Sequence, residues 1–537
     1  MKVFFQNIVS SAIGFVIGVI LLITSVFLFL LLSSFISSFF ANNNNIEANS
    51  ILKIKLDYPI TDKPNTDPFI NFNPYGDFTP NNSMHLYKIL ESIEQASDNE
   101  NIAGIVLDLT TFQNPGSAST KEIRDALTRF KEKDKFIYAY SNIFGKTSYY
   151  LASVADSICM YPTGGMELAG LSSTTPFFTE TLSEIGIKPE IIRHGKFKAA
   201  VEPFMLTEMS EENREQTETL LHDIWYTMLK DISDSRNIAI DSLNKLADNL
   251  MISVLPDQSV KTGLIDTLIY PDNFNKLLVK KINLKSIKEL NFISIQDIKT
   301  KKNKSKNTIG IIYAEGGIDG NKDNIHSDYT KTIKKALEDD KISAIVLRVN
   351  SPGGSALISD EILSQIKLSK KEKPVVVSMG NVAASGGYYI SCAADKIFAS
   401  ANTITGSIGV FGLLWTAEDL LKQKMKLHFS NVKTNNFSDI GSPYRSLSKQ
   451  EKSIIQVSVK NTYNTFIQHV ADGRNMQIKQ VDKIGQGRVW TGLRAKQIGL
   501  VDSLGGIHEA IQAAADLAGI TNFKITELPK AKNGLEA

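Results

Sequence analysis

The sequence repeats itself, and this repeat constrains the fold more than any other feature. The segment IAGIVLDL (102–109) resembles ISAIVLRV (342–349), and YYLASVADSICMYP (149–162) resembles YYISCAADKIFASA (388–401). The two pairs are offset by 240 and 239 residues, so the copies stay in register between them. A repeat of this length in a chain of 537 residues predicts one unit present twice, rather than several unrelated domains.

Strand and helix patterns alternate within each copy. Three apolar runs of the second copy are typical of buried strands: TIGIIYAEG (308–316), AIVLRVN (344–350) and PVVVSMG (374–380). Residues 356–370 have apolar side chains at helical spacing, and Ser448 with Glu451 predicts a capping box ahead of a helix over 454–470. This alternation predicts an α/β fold with largely parallel sheets covered by helices.

The domain boundaries follow from the repeat and from one run of charge. The segment KTKKNKSKNT (299–308) holds five lysines in ten residues, which is typical of a solvated linker. We therefore expect a first half over 50–298, a linker over 299–308, and a second half over 309–537. Residues 1–49 remain as a separate N-terminal segment.

The N-terminal segment reads as a membrane anchor. No charged residue lies between Lys2 and Glu47, and residues 12–32 form an apolar run of 21 residues that a helix would extend over about 30 Å, the thickness of a bilayer core. A cleaved signal peptide is the alternative, but its apolar core is shorter, about 7–15 residues, and the run here ends without a typical cleavage site. With Lys2 before the span, the N-terminus is expected in the cytoplasm and the remainder outside.

Composition narrows the possible functions. The net charge is +2, whereas a nucleic-acid-binding protein normally carries a clear basic excess. Two cysteines and seven histidines, with no HExxH and no CxxC, disfavour a disulfide scaffold and a metal enzyme. We expect no cofactor, no metal and no nucleic-acid partner.

Two glycine-rich segments each follow a strand and precede a helix. They are NSPGGS (350–355) and the start of NVAASGGYYISCAADKI (381–397). Such junctions expose backbone N–H groups that can hold an anion, although a tight turn is the simpler reading of two glycines. Ser385 stands at the start of the second helix, where a serine is either an N-cap or a nucleophile.

A nucleophilic serine needs a base, and the residues around Ser385 supply none. Lys198 is followed by two alanines and a valine, a small apolar setting for an amine. A lysine can act as a base near neutral pH when burial lowers its pKa from about 10.4 to about 7–8. The alternative is an ordinary surface charge, and His194 is a rival base four residues earlier.

Four motifs together resemble a known family. The segments GKFKAAVEPF (195–204), NSPGGS (350–355), AASGGYY (383–389) and TGSIGVFG (405–412), in a duplicated chain with an N-terminal anchor, resemble the long form of bacterial signal peptide peptidase A, also called protease IV. The resemblance covers nearly all of residues 50–525. It implies a duplicated Clp protease/crotonase-like fold of repeated ββα units and a Ser–Lys dyad, with no cofactor.

The resemblance also implies a role for each matching residue. Ser385 is the expected nucleophile, Lys198 the general base, and Ser407 the residue that orients the lysine. The expected oxyanion donors are the backbone N–H groups of three glycines: Gly386, Gly353 and Gly354.

The repeat provides a separate argument about where the site lies. With an offset of 239, Ser385 corresponds to Lys146 and Ser407 to Leu168, and with an offset of 238 Lys198 corresponds to Asn436. Each half therefore lacks the part of the site that the other half keeps. This pattern predicts one active site for each chain, between the halves, in a place that would bury Lys198.

The expected function is that of a membrane-anchored serine endopeptidase. By resemblance, its substrates are signal peptides and other apolar peptides left after secretion, its location is the bacterial inner membrane with the catalytic part on the periplasmic side, and it forms a homo-oligomer, a tetramer in the family. Two alternatives stay open: a crotonase-type acyl-CoA enzyme on the same fold, and an inactive membrane scaffold.

Overall fold

A computed structural model describes residues 2–40, 46–64, 83–249, 255–299 and 303–529. The parts of the expected segments that lie outside these ranges are residues 1 and 41–45 of the N-terminal segment, 65–82 and 250–254 of the first half, 300–302 of the lysine-rich linker, and the C-terminal 530–537.

The strands divide between the two halves of the chain. Those before the linker are β1 (Ser50–Lys55), β2 (Ile60–Thr61), β3 (Met84–His85), β4 (Ile102–Asp108), β5 (Phe136–Phe144), β6 (Ser157–Met166), β7 (Lys188–His194), β8 (Thr267–Leu268) and β9 (Phe292–Ile293). Those after it are β10 (Thr308–Glu315), β11 (Ile342–Ser351), β12 (Val375–Ala384), β13 (Lys396–Ala399), β14 (Ile404–Gly406), β15 (Val410–Thr416), β16 (Val489–Thr491), β17 (Ser503–Leu504) and β18 (Lys524–Leu528).

The helices divide in the same way. The first set is α1 (Lys2–Phe40), α2 (Leu86–Ser97), α3 (Ser117–Lys131), α4 (Lys146–Ala152), α5 (Thr179–Ile185), α6 (Glu211–Arg236), α7 (Ile240–Ala247), α8 (Pro256–Lys261) and α9 (Pro271–Lys281). The second is α10 (Tyr329–Glu338), α11 (Ala356–Ser369), α12 (Gly386–Ser391), α13 (Lys449–Arg474), α14 (Ile478–Ile484), α15 (Gly492–Gln497) and α16 (Ile507–Leu517). Short turns of 3₁₀ or π type add Ala199–Phe204, Ile287–Glu289, Ile295–Asp297 and Leu420–Lys424.

Each half contains one main sheet. The first has the strand order β8-β6-β5-β4-β1-β9, and the second has β16-β14-β12-β11-β10-β18, with β13 and β17 branching from β12. The pairings are parallel except for β14 with β16. The three predicted strands of the second half and the helix between two of them are confirmed as β10, β11, β12 and α11.

The repeat is visible in the helices. The helices α6 and α13 each have 26 residues and begin after a serine N-cap, Ser210 in one half and Ser448 in the other. The predicted capping box of Ser448 and Glu451 is confirmed. The helices α4 and α12 differ by one residue in length: their starts align Ser385 with Gly145, whereas their ends, at Ser153 and Cys392, keep the offset of 239 that aligns Ser385 with Lys146. The first half lacks the serine in either register.

The two halves share a hydrophobic core. One cluster of buried side chains contains Leu52 and Ile105 from the first sheet together with Ile311 and Val346 from the second. Small side chains of α16, such as Ala514, belong to the same cluster. The other face of the second sheet packs against α11, α12 and α13 in a separate core. The halves therefore form one continuous packed body.

A two-stranded ribbon also joins the halves. Strand β7 of the first half pairs antiparallel with β15 of the second, and His194 lies opposite Val410. Lys198 follows β7 after four residues, and Ser407 precedes β15 by three. The ribbon thus brings these two parts of the chain to the same place.

Helix α1 is long and apolar enough to cross a membrane. Its stretch Ser10–Phe29 has a mean hydropathy of 2.8, and none of this stretch is buried against the rest of the protein.

Candidate active site

Ser385 occupies a sharp turn between a strand and a helix. Strand β12 ends one residue before it, α12 begins one residue after it, and the φ of Ser385 is 55°. A non-glycine residue in this conformation is strained and lifts its side chain out of the turn, as in the nucleophile turns of α/β-hydrolases. Its N–H donates to the Gly406 carbonyl at 2.9 Å. The side chain makes no capping bond to the helix, so Ser385 holds the N-cap position without serving as a side-chain cap.

The glycines after Ser385 allow two loops to approach closely. A Cβ on Gly386 would lie 2.7 Å from Ser359 Oγ, and one on Gly387 would lie 2.6 Å from the Ser351 carbonyl oxygen. Both distances are too short for a real contact. The start of α12 can therefore pack against α11 at Gly386 and against the 350–355 loop at Gly387 because these two residues lack side chains.

Lys198 from the first half reaches Ser385 from the second. Its Nζ donates to Ser385 Oγ at 3.0 Å, to Ser407 Oγ at 2.9 Å and to the Ser407 carbonyl at 3.1 Å. The residue is only 4% exposed, so it is not a surface charge. Burial lowers the pKa of Lys198 to about 8, since the charged amine loses its hydration there. Compared with a lysine in water, this amine is therefore neutral in a much larger fraction of molecules near neutral pH.

His194, the rival base, does not take this position. Its ring packs against Tyr463 at an interplanar angle of 37° with the centroids 4.1 Å apart, and Ser385 Oγ receives its hydrogen bond from Lys198 instead.

The turn that carries Lys198 is held by a buried carboxylate. Glu202 is fully buried and accepts hydrogen bonds from Ser210 Oγ at 2.6 Å and from Asn213 Nδ2 at 3.0 Å. Arg193 donates to the Lys198 carbonyl at 3.2 Å and lies 3.5 Å from Glu202. The sequence contained a signal for this group: an acidic residue within AVEPF, eight residues before the N-cap of a helix.

The three candidate oxyanion glycines lie together beside Ser385. A Cβ on Gly353 would be 2.5 Å from the Gly386 nitrogen, which shows how closely the two loops approach. The N–H of Gly353 donates to Ser351 Oγ at 3.1 Å. That bond makes Gly353 a weaker candidate donor than Gly386 and Gly354.

A groove of about 610 Å³ opens over Ser385, Lys198 and Ser407. Its walls are mainly apolar: Ala356, Tyr389, Val410, Phe411 and Phe466 contribute to them. Tyr389 comes from α12, Phe466 from α13 and Phe411 from β15, so all three aromatic rings belong to the second half. A groove of this size and character can hold an extended peptide with apolar side chains.

The corresponding residues of the repeat form no second site. Lys146 donates its Nζ to the Gly170 carbonyl at 3.1 Å, and Leu168 is buried in the core. Asn436 is exposed.

A duplicated α/β fold of parallel sheets, with a serine at a strand-to-helix turn beside a peptide-sized groove, is the architecture of a Clp-type serine protease. The family model described as Clp protease matches residues 301–428. The chain belongs to peptidase family S49, whose model matches residues 129–285 and 367–521. It is therefore a serine protease with a duplicated Clp protease-like fold.

Relatives over most of the chain agree with this assignment. The chain is 36% identical to Protease 4 of Salmonella typhi over 503 residues, which is 90% of this chain and 81% of that protein. It is 35% identical to Protease 4 of Haemophilus influenzae, over 80% of this chain and 72% of that one. The chloroplastic serine protease SPPA of Arabidopsis thaliana is 30% identical, over 83% of this chain and 68% of its own length.

Proposed function

We propose that this protease is a membrane-anchored endopeptidase in which Ser385 is the nucleophile and Lys198 the general base. The observation that carries the proposal is the bond of 3.0 Å from Lys198 Nζ to Ser385 Oγ, made by an amine that is almost fully buried. A lysine with its pKa lowered to about 8 is neutral in a useful fraction of molecules near neutral pH.

The reaction begins with neutral Lys198, which takes the proton of Ser385 as the hydroxyl oxygen attacks a peptide carbonyl. The tetrahedral intermediate places negative charge on the former carbonyl oxygen. The N–H groups of Gly386 and Gly354 are the donors proposed to stabilise it, with Gly353 beside them. The protonated lysine then gives its proton to the leaving amine, and water releases the acyl group by the reverse steps.

Ser407 orients the lysine in this mechanism. It accepts from Lys198 Nζ with both its hydroxyl and its carbonyl oxygen. With two oxygens fixed on one side, the remaining direction of the amine is toward Ser385. The backbone of Ser407 has a φ of 52°, an unusual conformation for a serine that turns both oxygens toward the same amine.

The proposed substrates are signal peptides and other apolar peptides left in the membrane after secretion. Two features support this class: the apolar walls of the groove and helix α1, which would hold the groove near a bilayer surface. The proposed location is the bacterial inner membrane in a single pass, with the N-terminus in the cytoplasm and the protease on the periplasmic side. A homo-oligomer, a tetramer by resemblance, is part of the same proposal.

The crotonase-type alternative has less support at this site. Enzymes of that type move protons with carboxylates, and the groove is lined instead by a lysine, serines, glycines and apolar side chains. An inactive scaffold would have no need to keep a buried lysine bonded to a strained serine, which costs stability.

The test is labelling of the full-length protein, in detergent, with a serine-reactive phosphonate probe, together with hydrolysis of an apolar fluorogenic peptide. Ser385→Ala and Lys198→Ala should each remain folded and lose turnover by about 10³-fold or more. Lys196→Ala is the matched control, because Lys196 is exposed two residues from Lys198. Wild-type turnover in either dyad variant would refute the assignment.

A further inference from the structure

A short loop of the second half, residues 485–488 (GQGR), lies directly against the chain that carries Lys198. The N–H of Phe197 donates to the Gln486 carbonyl at 2.9 Å. On the other side, the N–H of Gly487 donates to the Ile408 carbonyl and that of Ser407 to the Arg488 carbonyl, both at 2.7 Å. The loop is therefore bonded to the segment of the base and to the segment of Ser407 at once.

Gly487 is the point of closest contact. A Cβ on this residue would lie 2.6 Å from Lys198 Cβ and 2.7 Å from both Lys198 Cα and Lys198 N. Two of these atoms are backbone, so a side chain at 487 could be accommodated only by moving the main chain of Lys198. Gly409 fits the same surface, since a Cβ there would be 2.6 Å from Gly487 Cα and 3.3 Å from Lys198 Cδ.

Side chains from both halves hold the loop in place. The Arg488 guanidinium lies between the rings of Phe197 and Trp490, at 4.7 Å and 4.5 Å from their centroids. It also pairs with Glu215 at 2.7 Å. From the first half, Gln216 donates to the Phe197 carbonyl at 3.1 Å and accepts from the Val489 N–H at 3.2 Å.

We propose that Gly487 is a positioning residue for the peptidase reaction, and that its bare backbone is the surface that holds Lys198 within reach of Ser385. The proposal rests on the function proposed above and adds a residue outside the four motifs that define the dyad. It predicts that a single methyl group at 487 displaces the amine, although Gly487 touches neither substrate nor nucleophile.

The competing explanation is that Gly487 is a glycine only because of its backbone conformation. Its φ is 79°, a value that favours glycine anywhere in a protein. Gly441 separates the two explanations, because its φ is 78° and a Cβ there would meet nothing within 4 Å. Alanine at either position carries the same backbone strain, and only Gly487→Ala collides with Lys198.

The experiment measures kcat and its pH dependence for Gly487→Ala and Gly441→Ala in the full-length protein, with the apolar fluorogenic peptide. We expect Gly441→Ala to match the wild type. For Gly487→Ala we expect kcat to fall about 100-fold, and the midpoint of the pH profile to rise by about one unit as the displaced amine regains water. A Gly487→Ala enzyme with a lowered kcat but an unchanged midpoint of the pH profile would overturn the proposal. That result is expected of a purely structural defect, which reduces the fraction of active molecules without changing the pKa of the base.

Arg488→Met provides a second measurement in case Gly487→Ala does not fold. It removes the guanidinium that contacts Phe197 and Trp490, and so loosens the loop against Lys198 without adding a side chain at 487. We expect the midpoint to rise in the same direction, by about half a unit. A midpoint equal to that of the wild type would count against the proposal. The dyad assignment is tested by a different result: it would be refuted by activity in Ser385→Ala or Lys198→Ala, whatever the Gly487→Ala enzyme does.

Discussion

Lys198 combines near-complete burial with hydrogen-bond partners that are all uncharged oxygens. Its three bonds go to two serine hydroxyls and one carbonyl, and burial alone accounts for the fall of its pKa to about 8. A carboxylate in the same place would hold the proton on the amine and oppose its use as a base. The uncharged surroundings of this amine, within the described part of the chain, therefore suit the base role proposed for it.

The pH dependence of hydrolysis follows from this pKa. Above about pH 8 the amine of Lys198 is mostly neutral and can accept the Ser385 proton, and below it the protonated amine cannot. We expect kcat/KM to rise with pH to a plateau above about 8, and to fall about tenfold for each unit of pH well below that value. Rates measured from pH 6 to 10 check this. A profile that is flat down to pH 6 would contradict a lysine base.

At single residues, the sequence allowed the dyad to be predicted but not its supports. Ser385, Lys198 and Ser407 stand in motifs that can be read in order along the chain. AVEPF shows an acidic residue but not that Glu202 is buried under the lysine turn, and a glycine in GQGR looks like any turn glycine until Lys198, distant in sequence, is placed against it.

At the scale of elements, the matching helices α6 and α13 have the same cap and different neighbours. Ser210 accepts from the Asn213 N–H at 3.1 Å and Ser448 from the Glu451 N–H at 3.2 Å, so the two helix starts are alike. Ser210 differs because its hydroxyl also donates to Glu202, the carboxylate under the Lys198 turn. Ser448 is therefore a matched control for Ser210: both serines cap a helix, and Ser210 also bonds the carboxylate near Lys198.

We expect Ser210→Ala and Ser448→Ala each to lower the free energy of unfolding by about 1 kcal/mol, the usual effect of losing a serine cap. Only Ser210→Ala should also lower kcat, by about tenfold, because it loosens the turn that positions the base. Thermal unfolding and peptide hydrolysis of both variants check the pair. Equal losses of activity would show that the cap acts through general stability alone.

The strands were predictable because both faces of the second sheet are buried. Along β10, Ile309 and Ile311 enter the core shared by the halves, while Ile312 and Ala314 enter the core on the other face. Burial on both faces produces the continuous apolar run that marks such a strand in a sequence. Pairing between distant elements leaves no comparable pattern, so the ribbon of β7 and β15 could not be predicted in this way.

For the whole molecule, the proposed site is divided between the halves, so its geometry depends on their relative position. Lys198 comes from one half and Ser385 from the other, and any separation of the halves lengthens the bond between the proposed base and the proposed nucleophile. The repeat showed that each half keeps only part of the site. It could not show what fixes one half to the other, because that contact is not repeated.

A buried ion cluster forms part of this connection. Arg348 of β11 is fully buried and pairs with Asp62 at 2.7 Å and with Glu122 at 2.6 Å, both from the first half. Burial raises the pKa of Glu122, opposed by the charge of Arg348. Asp62 also accepts from Asn350, which stands at the start of the 350–355 loop. The cluster thus links the first half to the loop beside Ser385.

We expect Arg348→Met to lower the free energy of unfolding by about 3–5 kcal/mol, because it leaves two buried carboxylates without their cation. Arg494→Met is the matched control: Arg494 also crosses between the halves, to Asp223 at 2.5 Å, but its side chain is 41% exposed. Because the Arg494 side chain faces solvent and Asp223, 11% exposed, keeps a bond from Thr491 Oγ1, we expect this substitution to cost only about 1 kcal/mol. Chemical denaturation measures both variants. The rate of peptide hydrolysis under native conditions should then fall for Arg348→Met alone. Equal losses of stability and of hydrolysis in the two variants would show that the buried cluster does not hold the halves in register.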